Sequence, residues 1–479
     1  MRKRGRLIAM SLVMLVVIGA GLALSRPVAR TALTRSPNCS AICLELPRKE
    51  YRRMLSDKEY AAGVNVRYLS ADGTRDEAFE AASIHGHGNS SWSEDKKSWT
   101  VTFNEPAGLL GTKSARKYCL IGAAQDTTYL RNRITYQIAR ENNPEWSPDC
   151  ELTELFLNGE YAGLYLLVER PHEDNGVLIS DTAAGSFLVE HDNGGQTEGL
   201  TFLERICIRE QNGISSDEIA QRLGAVDRAL RSADGIDKVS GKAWDELIDP
   251  DSFARAFLVN ELAGNGDVVV TSSYFYCKGN GDERLYAGPV WDFDRAYGRE
   301  NAKTDGLITV QSHYETWFQT AYGKAEFHER VCELYEQEYL PQARALANGG
   351  IAAQAAEIAQ AAARDQSKWG NYARELTEIG AVSDEVTDAE AMQGWLRGRI
   401  EFLDRCWIDR EETNGKTKTQ DISREQMRRE EYVSIAGAGL WGWLVHHRLL
   451  LEAAALGAAA GGAFLALLIR DHRRCTGRG

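Results

Sequence analysis

No Cys-x-x-Cys pair occurs in these 479 residues, which argues against a zinc ribbon. The glycine-containing stretch Gly86–Trp92 is neither a P-loop nor a Gly-x-Gly-x-x-Gly motif, the two common phosphate cradles. Internal repeats and low-complexity tracts are absent as well. Positive charge is short: the formal net charge is −13, and the two ends are basic, so the region between them is more acidic still. Such a surface disfavours nucleic acid as a partner. It also repels nucleotide phosphates, so any phosphate chemistry needs local cations: a metal, lysine or arginine.

Hydrophobic residues make up 43% of the chain, enough for two or three lobes with real cores. The apolar runs lie at the two ends. Residues 1–6 are a basic tail, and 7–24 are long enough to span a bilayer. A clean small-x-small cleavage site is missing, so 7–24 reads as an uncleaved signal anchor rather than a cleaved signal peptide. A second apolar stretch covers 449–469, followed by a basic tail, 470–479. Basic flanks on the distal side of both runs place both tails in the cytoplasm and the main domain outside the cell membrane. Cys475 falls in the tail; the other eight cysteines fall in the outer region, an even number compatible with up to four disulfides.

Between the ends, 25–44 is a juxtamembrane segment, 45–408 the globular part, and 409–448 a charged stalk. Strand patterns dominate to about 210: Val64–Tyr68, Trp99–Phe103, Cys119–Ile121, Leu152–Leu157 and Tyr161–Glu169, with Asn158-Gly159 as a hairpin turn. One helical pattern, Asp126–Glu141, interrupts them. From about 211 helices take over: Asp217–Arg231, Asp249 to about Leu262, Lys324–Ala347, Ile351–Lys368 and Asp388–Cys406, with short strands at Tyr274–Lys278 and Leu285–Ala287. The layout is α+β and bilobal, a β-rich N-lobe (45–210) and an α-rich C-lobe (211–408), with a transmembrane helix at each end.

The most informative run is Gly288-Pro-Val-Trp-Asp-Phe-Asp-Arg295. Asp292 and Asp294, two positions apart, can hold a hard cation through oxygen. Asp267 lies upstream in a polar loop. An Asp that acts as base, followed by Asp-Phe-Asp, is the order used in kinase-type phosphoryl transfer. The bland alternative is a solvated turn. At the other end of the globular part, Gly86-His-Gly-Asn-Ser-Ser-Trp92 can expose backbone N–H groups to phosphates, with Asn89 and Ser90 in the turn and Lys97 opening the next strand. Its plain reading is a hairpin tip. Arg131-Asn132 sits near the start of the Asp126–Glu141 helix, where its plain reading is a helix-surface ion pair. Glu169 and Glu190 stand at strand ends, where a carboxylate can orient Lys97 or touch nucleotide.

Taken in series, these stretches resemble the CotH family of spore-coat-type atypical kinases. They are Gly86–Trp92 with Lys96-Lys97, Leu130-Arg-Asn132, Leu157–Tyr165 with Glu169, Phe187–Glu190, Asn260-Glu-Leu262 with Asp267, Tyr274-Phe-Tyr276 and Gly288–Asp294. The resemblance covers about 45–300, and the helices to about 408 fit the family's C-lobe. It implies a kinase-like plan with ATP and Mg²⁺ or Mn²⁺ between lobes. Asp267 would position the acceptor hydroxyl and Asp292 would bind metal, with Asp294 in support. Lys97, Asn89, Ser90, Arg131, Glu169, Glu190 and Trp291 would surround the nucleotide. Ser273 stands where the family often has an Asn metal ligand, and His87 where it usually has Arg. The acceptor would be Ser, Thr or Tyr of a surface or coat protein. A pseudokinase or scaffold on the same fold, nucleotidyl transfer from ATP, and a metal-dependent hydrolase are the alternatives.

Overall fold

A computed structural model describes residues 34–410, apart from 89, 111–113, 125, 144–146, 172–182, 193–201, 300–302, 313 and 371–387. Both expected membrane segments, 7–24 and 449–469, lie outside the described residues, as do the tails and nearly all of the stalk. Among the described residues no helix is long and apolar enough to cross a membrane.

Seven strands close into a barrel: β1 (Ser40–Glu45), β2 (Ala62–Leu69), β3 (Asp76–His87), β4 (Ser98–Ala107), β5 (Ala115–Ile121), β6 (Cys150–Leu157) and β7 (Glu160–Glu169). The order is β1-β2-β3-β4-β5-β7-β6, and a parallel pairing of β1 with β6 shuts it. Period-two alternation explains which side chains go where. On β4, Trp99, Val101 and Phe103 fill the interior with Ile84, Tyr165 and Leu167. On β7, Leu164, Leu166 and Val168 face the other way and join the core of the helical part. The β6–β7 hairpin turns at Asn158 (φ 51°) and Gly159 (φ 82°), as the Asn-Gly signal requires. A bulge beside it places Gly163 at φ 136°, where a Cβ would run into the Asp365 carboxylate. Gly163→Ala should therefore destabilise the fold by about 1–3 kcal/mol, read as a lowered denaturant midpoint.

Two expectations change here. The expected β-rich lobe is a closed barrel, and its outer face shares one apolar core with the helices, so no clean pair of lobes separates. β1 also begins inside the expected juxtamembrane segment, because Ala41, Ile42 and Leu44 are buried in the wall.

Helix α1 (Arg48–Ser56) crosses the barrel end and buries Met54. Helix α2 (Arg131–Asn142) starts five residues after the pattern does. The reason is local: the Asp126 carboxylate accepts from the N–H groups of Thr128 and Arg131, holding 126–130 in a turn. A second, antiparallel sheet has the order β11-β10-β8-β9, from β8 (Phe187–His191), β9 (Ile206–Gln211), β10 (Ser273–Gly279) and β11 (Asp282–Ala287). Helix α3 (Ser216–Arg231) opens on a Ser215–Glu218 capping box. Helix α4 (Pro250–Ala263) has Asp249 as cap, Pro250 in its first turn and left-handed Gly264 as its stop. The expected helix Lys324–Ala347 begins as α5 (Ala325–Leu334) and runs on through a π-helical turn, Tyr335–Tyr339, with Pro341 inside, until Asn348 and Gly349 (φ 127°) leave helical geometry. Helices α6 (Ala359–Trp369) and α7 (Asp388–Trp407) follow. Arg399 of α7 meets Glu261 of α4 at 2.9 Å in the core, both nearly fully buried.

Among the described residues the expected disulfides do not form. Cys39, Cys43, Cys119, Cys150, Cys207, Cys277 and Cys332 are thiols. Cys119 and Cys150 both stand opposite Val168, on either side of β7. That sets them two strand spacings apart, about 9.5 Å, beyond what a disulfide spans.

Candidate active site

The Asp292 segment is threaded between α2 and α4. β11 ends at Ala287, and the chain passes a cis Gly288–Pro289 bond to Trp291. The Trp291 ring stacks on Tyr136 of α2 at 6.1 Å between centroids. Asp292 has a left-handed backbone (φ 66°), and its N–H donates to the Tyr136 hydroxyl at 3.3 Å. The next N–H, of Phe293, donates to Asn132 Oδ1 at 2.7 Å. Arg131 donates from Nε to the Ala296 carbonyl at 2.9 Å and pairs with Asp126. From α4, Ala263 accepts the Tyr297 N–H at 2.7 Å. The backbone carrying both carboxylates is thus fixed on two sides.

Asp267 sits on a single helical turn, Gly266–Val269, just past α4. Asn265 organises this turn. Its Oδ1 accepts from the Asp267 N–H at 3.2 Å, and its Nδ2 donates to Asn260 at 3.0 Å and to the Asp292 carbonyl at 3.3 Å. The three aspartates therefore share one local scaffold. Arg295 reaches Asp267 at 3.4 Å.

Electrostatics mark the place. Burial pushes the Asp292 carboxyl well above the ordinary carboxylate range; Asp294 and Asp267 push it further, while the Ser272 hydroxyl, donating at 3.1 Å, opposes. Asp294 is raised too, by burial and then by Asp267, with Arg299 opposing. Buried carboxylates that repel each other are a mark of a functional site. Among the described residues no three His, Cys, Asp or Glu side chains converge to hold a metal unaided. The donors still fit Mg²⁺ or Mn²⁺: such ions are commonly held by one or two carboxylates, with waters and substrate phosphates completing the shell. Asp292 and Asp294 are the residues that would hold it.

The remaining expected site residues divide. Glu190 lies opposite Tyr274 in the second sheet, accepts from Arg209 at 2.7 Å, and is among the charges that raise Asp292. His87 packs its ring against the edge of Trp291 at 6.3 Å and contacts Thr100 at 3.1 Å. Burial takes its pKa down to about 3, so it is neutral and gives phosphate no positive charge. Ser273 turns its hydroxyl to the Val268 carbonyl at 2.8 Å; its neighbour Ser272 is the one that meets Asp292. Arg131 is a buried clamp rather than an open cation. Glu169 accepts from the Asp149 N–H at 3.3 Å at the end of β7. Asn89 and the Ser90 side chain lie outside the described residues.

Lys97 is turned elsewhere. Its ammonium donates to the Trp92 carbonyl at 2.6 Å and lies over the Trp92 ring. Lys96 is the buried lysine of the pair, bound to Asp365 at 2.7 Å and to the Leu164 carbonyl at 2.6 Å, with burial lowering its pKa to about 8. The sequence assigns no role to Tyr136, Asn265 or Ser272, and points to Asn132 only as the neighbour of Arg131. Asn132 lies inside the Leu130-Arg-Asn132 stretch; Tyr136, Asn265 and Ser272 act through contacts made only in three dimensions.

No curated protein matches this chain. A family model described as CotH kinase protein matches residues 84–403, a span that begins in β3 and ends inside α7, taking in all three aspartates. The chain belongs to the CotH kinase protein family.

Proposed function

We propose that this chain is a membrane-anchored, extracytoplasmic kinase that transfers the γ-phosphate of ATP to a Ser, Thr or Tyr hydroxyl of a surface or coat protein. The observation that carries the reading is the buried, mutually repelling Asp292 and Asp294 on a clamped backbone, with Asp267 beside them. The barrel would serve as N-lobe and the helices as C-lobe, with the nucleotide against the Trp291–His87 wall. Both termini would lie in the cytoplasm.

A bound Mg²⁺ or Mn²⁺ would supply charge neutralisation at the transferring phosphate. Asp292 and Asp294 hold that charge in place. Asp267 orients the acceptor hydroxyl and takes its proton as the new P–O bond forms and ADP leaves. Trp291, Tyr136 and His87 form an aromatic wall that keeps water out. Neutral His87, the engaged Ser273 hydroxyl and the averted Lys97 favour a second reading, a slow or inactive pseudokinase that binds a surface partner.

The test uses the full-length chain with γ-labelled ATP, Mn²⁺ or Mg²⁺ and an acidic protein acceptor. Label on protein is expected, and Asp267→Ala should lower its rate by about 10²–10⁴-fold without weakening nucleotide binding. Label that arrives only from α-labelled ATP would replace the kinase with a nucleotidyl transferase. Metal-dependent binding with no transfer would leave the pseudokinase.

A further inference from the structure

A cavity of about 620 Å³ opens at the mouth of the barrel, well within the range of ligand sites, about 300–1,000 Å³. Its roof is α1, one wall is the β6–β7 hairpin, and the end of α6 forms another. The floor is Trp99 and Tyr165, which belong to the barrel interior. The three aspartates do not line it. The strand wall explains why: Trp99 faces inward, while Thr100, the next residue, faces outward to His87, and His87 in turn faces Trp291. The cavity and the carboxylates thus lie on opposite sides of β3 and β4.

The chemistry of the lining is distinctive. Four cations, Arg48, Arg52, Lys97 and Lys368, outnumber the two carboxylates, Asp95 and Glu160, in a chain whose net charge is −13. Arg48 and Arg52 stand one turn apart on α1, exposed, and among the described residues neither makes a hydrogen bond or an ion pair. Lys97 and Lys368 are held at the rim by single bonds to backbone carbonyls, at 2.6 Å each, which leaves ammonium protons to spare. Aromatic faces complete the lining: Tyr51, Tyr161 and Trp369 are half-buried beside the floor.

We propose that the barrel mouth binds an anionic saccharide, a sugar chain bearing carboxylate or phosphate. Paired guanidinia match the geometry of either anion. The aromatic rings cover the C–H faces of sugar rings. Asp95 and Glu160 accept from sugar hydroxyls, and Asn158, whose Oδ1 accepts the Leu46 N–H at 2.9 Å, donates from Nδ2. An acidic peptide fits less well, because its carboxylates would face Asp95 and Glu160 with no hydroxyls to donate. Lys97 thereby becomes a residue of this second site. The site needs no phosphate transfer, so its test is separate from that of the kinase reading.

The experiment measures binding to the full-length chain by titration calorimetry. The probes are a galacturonate trimer and mannose 6-phosphate, with maltotriose as the neutral control and ATP as competitor. At least one anionic probe should bind, and maltotriose should not. The double variant Arg48→Ala/Arg52→Ala should weaken binding at least tenfold, while Asp292→Ala leaves it unchanged. Which probe binds tells carboxylate from phosphate. No binding by either anionic probe overturns the proposal, as does equal binding by the double variant or loss in Asp292→Ala. ATP displacing the sugar with the same arginine dependence also overturns it, since the mouth would then be a nucleotide site. Both arginines are exposed on α1, so an unchanged melting temperature is the expected folding control.

Discussion

Asp292→Asn is expected to remove phosphate transfer and, in the same protein, to raise the stability of the metal-free fold. The first effect follows from losing a metal-holding carboxylate. Electrostatic stabilisation of that kind is worth several kcal/mol, so the rate should fall by about 10³–10⁵-fold. The second effect follows from the direction of the pKa shift. The folded-state value of Asp292 is raised above its ordinary 3.8. Such a group contributes stability that is fully present below the ordinary value and is lost as pH rises through the folded value. At neutral pH the wild-type site therefore carries a buried charge facing Asp294 and Asp267, and asparagine removes it while keeping an acceptor for Ser272. In EDTA at pH 7.5 the variant should melt about 2–5 °C above wild type. The gap should close as pH drops and the wild-type carboxyl takes up its proton. Mn²⁺ should raise the melting temperature of wild type and leave the variant where it is. A variant that melts lower in EDTA, with Mn²⁺ stabilising both alike, would remove Asp292 from the metal site.

Arg399→Met is expected to cost more stability than any other single change considered. The guanidinium meets the Glu261 carboxylate at 2.9 Å and also donates to the carbonyls of Glu261, Thr304 and Gly306. Glu261 in turn accepts the N–H groups of Ile308 at 2.8 Å and Thr309 at 2.7 Å. Burial raises the Glu261 carboxyl and lowers the Arg399 guanidinium, and each partner opposes the other's shift. Removing one partner strands the other, at a cost of about 3–5 kcal/mol. The double variant Glu261→Leu/Arg399→Met should recover part of that loss, because no charge is left buried. Recovery stays partial, since the backbone groups at 304–309 lose their partners. Urea unfolding of the two variants measures both numbers. A loss below about 1 kcal/mol for Arg399→Met would show that water reaches this pair.

The elements that were legible in the sequence are those whose signal is local. The strands β2, β4 and β6, the Asn158-Gly159 turn and the capped helices α3 and α4 carry their own period and punctuation. Barrel closure does not: β1 and β6 pair across more than a hundred residues, and nothing in either strand names the other. The three aspartates were legible as a set because turns bring near neighbours together. Neighbouring residues were the hard part. Lys96 and Lys97 read as one basic pair, yet in the bend just before β4 they turn toward different surroundings. Ser272 and Ser273 differ too, because Ser272 has a left-handed backbone (φ 58°) in the bend just before β10 begins at Ser273. Disulfides failed for a related reason: an even count says nothing about distance across a sheet.

The parallel β1–β6 seam has a consequence for how the protein is made. Residues 40–44 align with 153–157, so β1 leaves the ribosome more than a hundred residues before the strand that completes it. At about 5–20 residues per second that interval is of the order of 5–20 s. Throughout it β1 has one finished neighbour, β2, and one open edge able to pair with another nascent chain. Ser36, just ahead of β1, is later fastened to Glu154 of β6 by its N–H at 2.9 Å and its hydroxyl at 2.8 Å. Synthesis that pauses before residue 150 would thus lengthen the life of a sticky half-barrel, whereas a pause well after residue 169, once β7 can bridge β5 and β6, would be harmless to it.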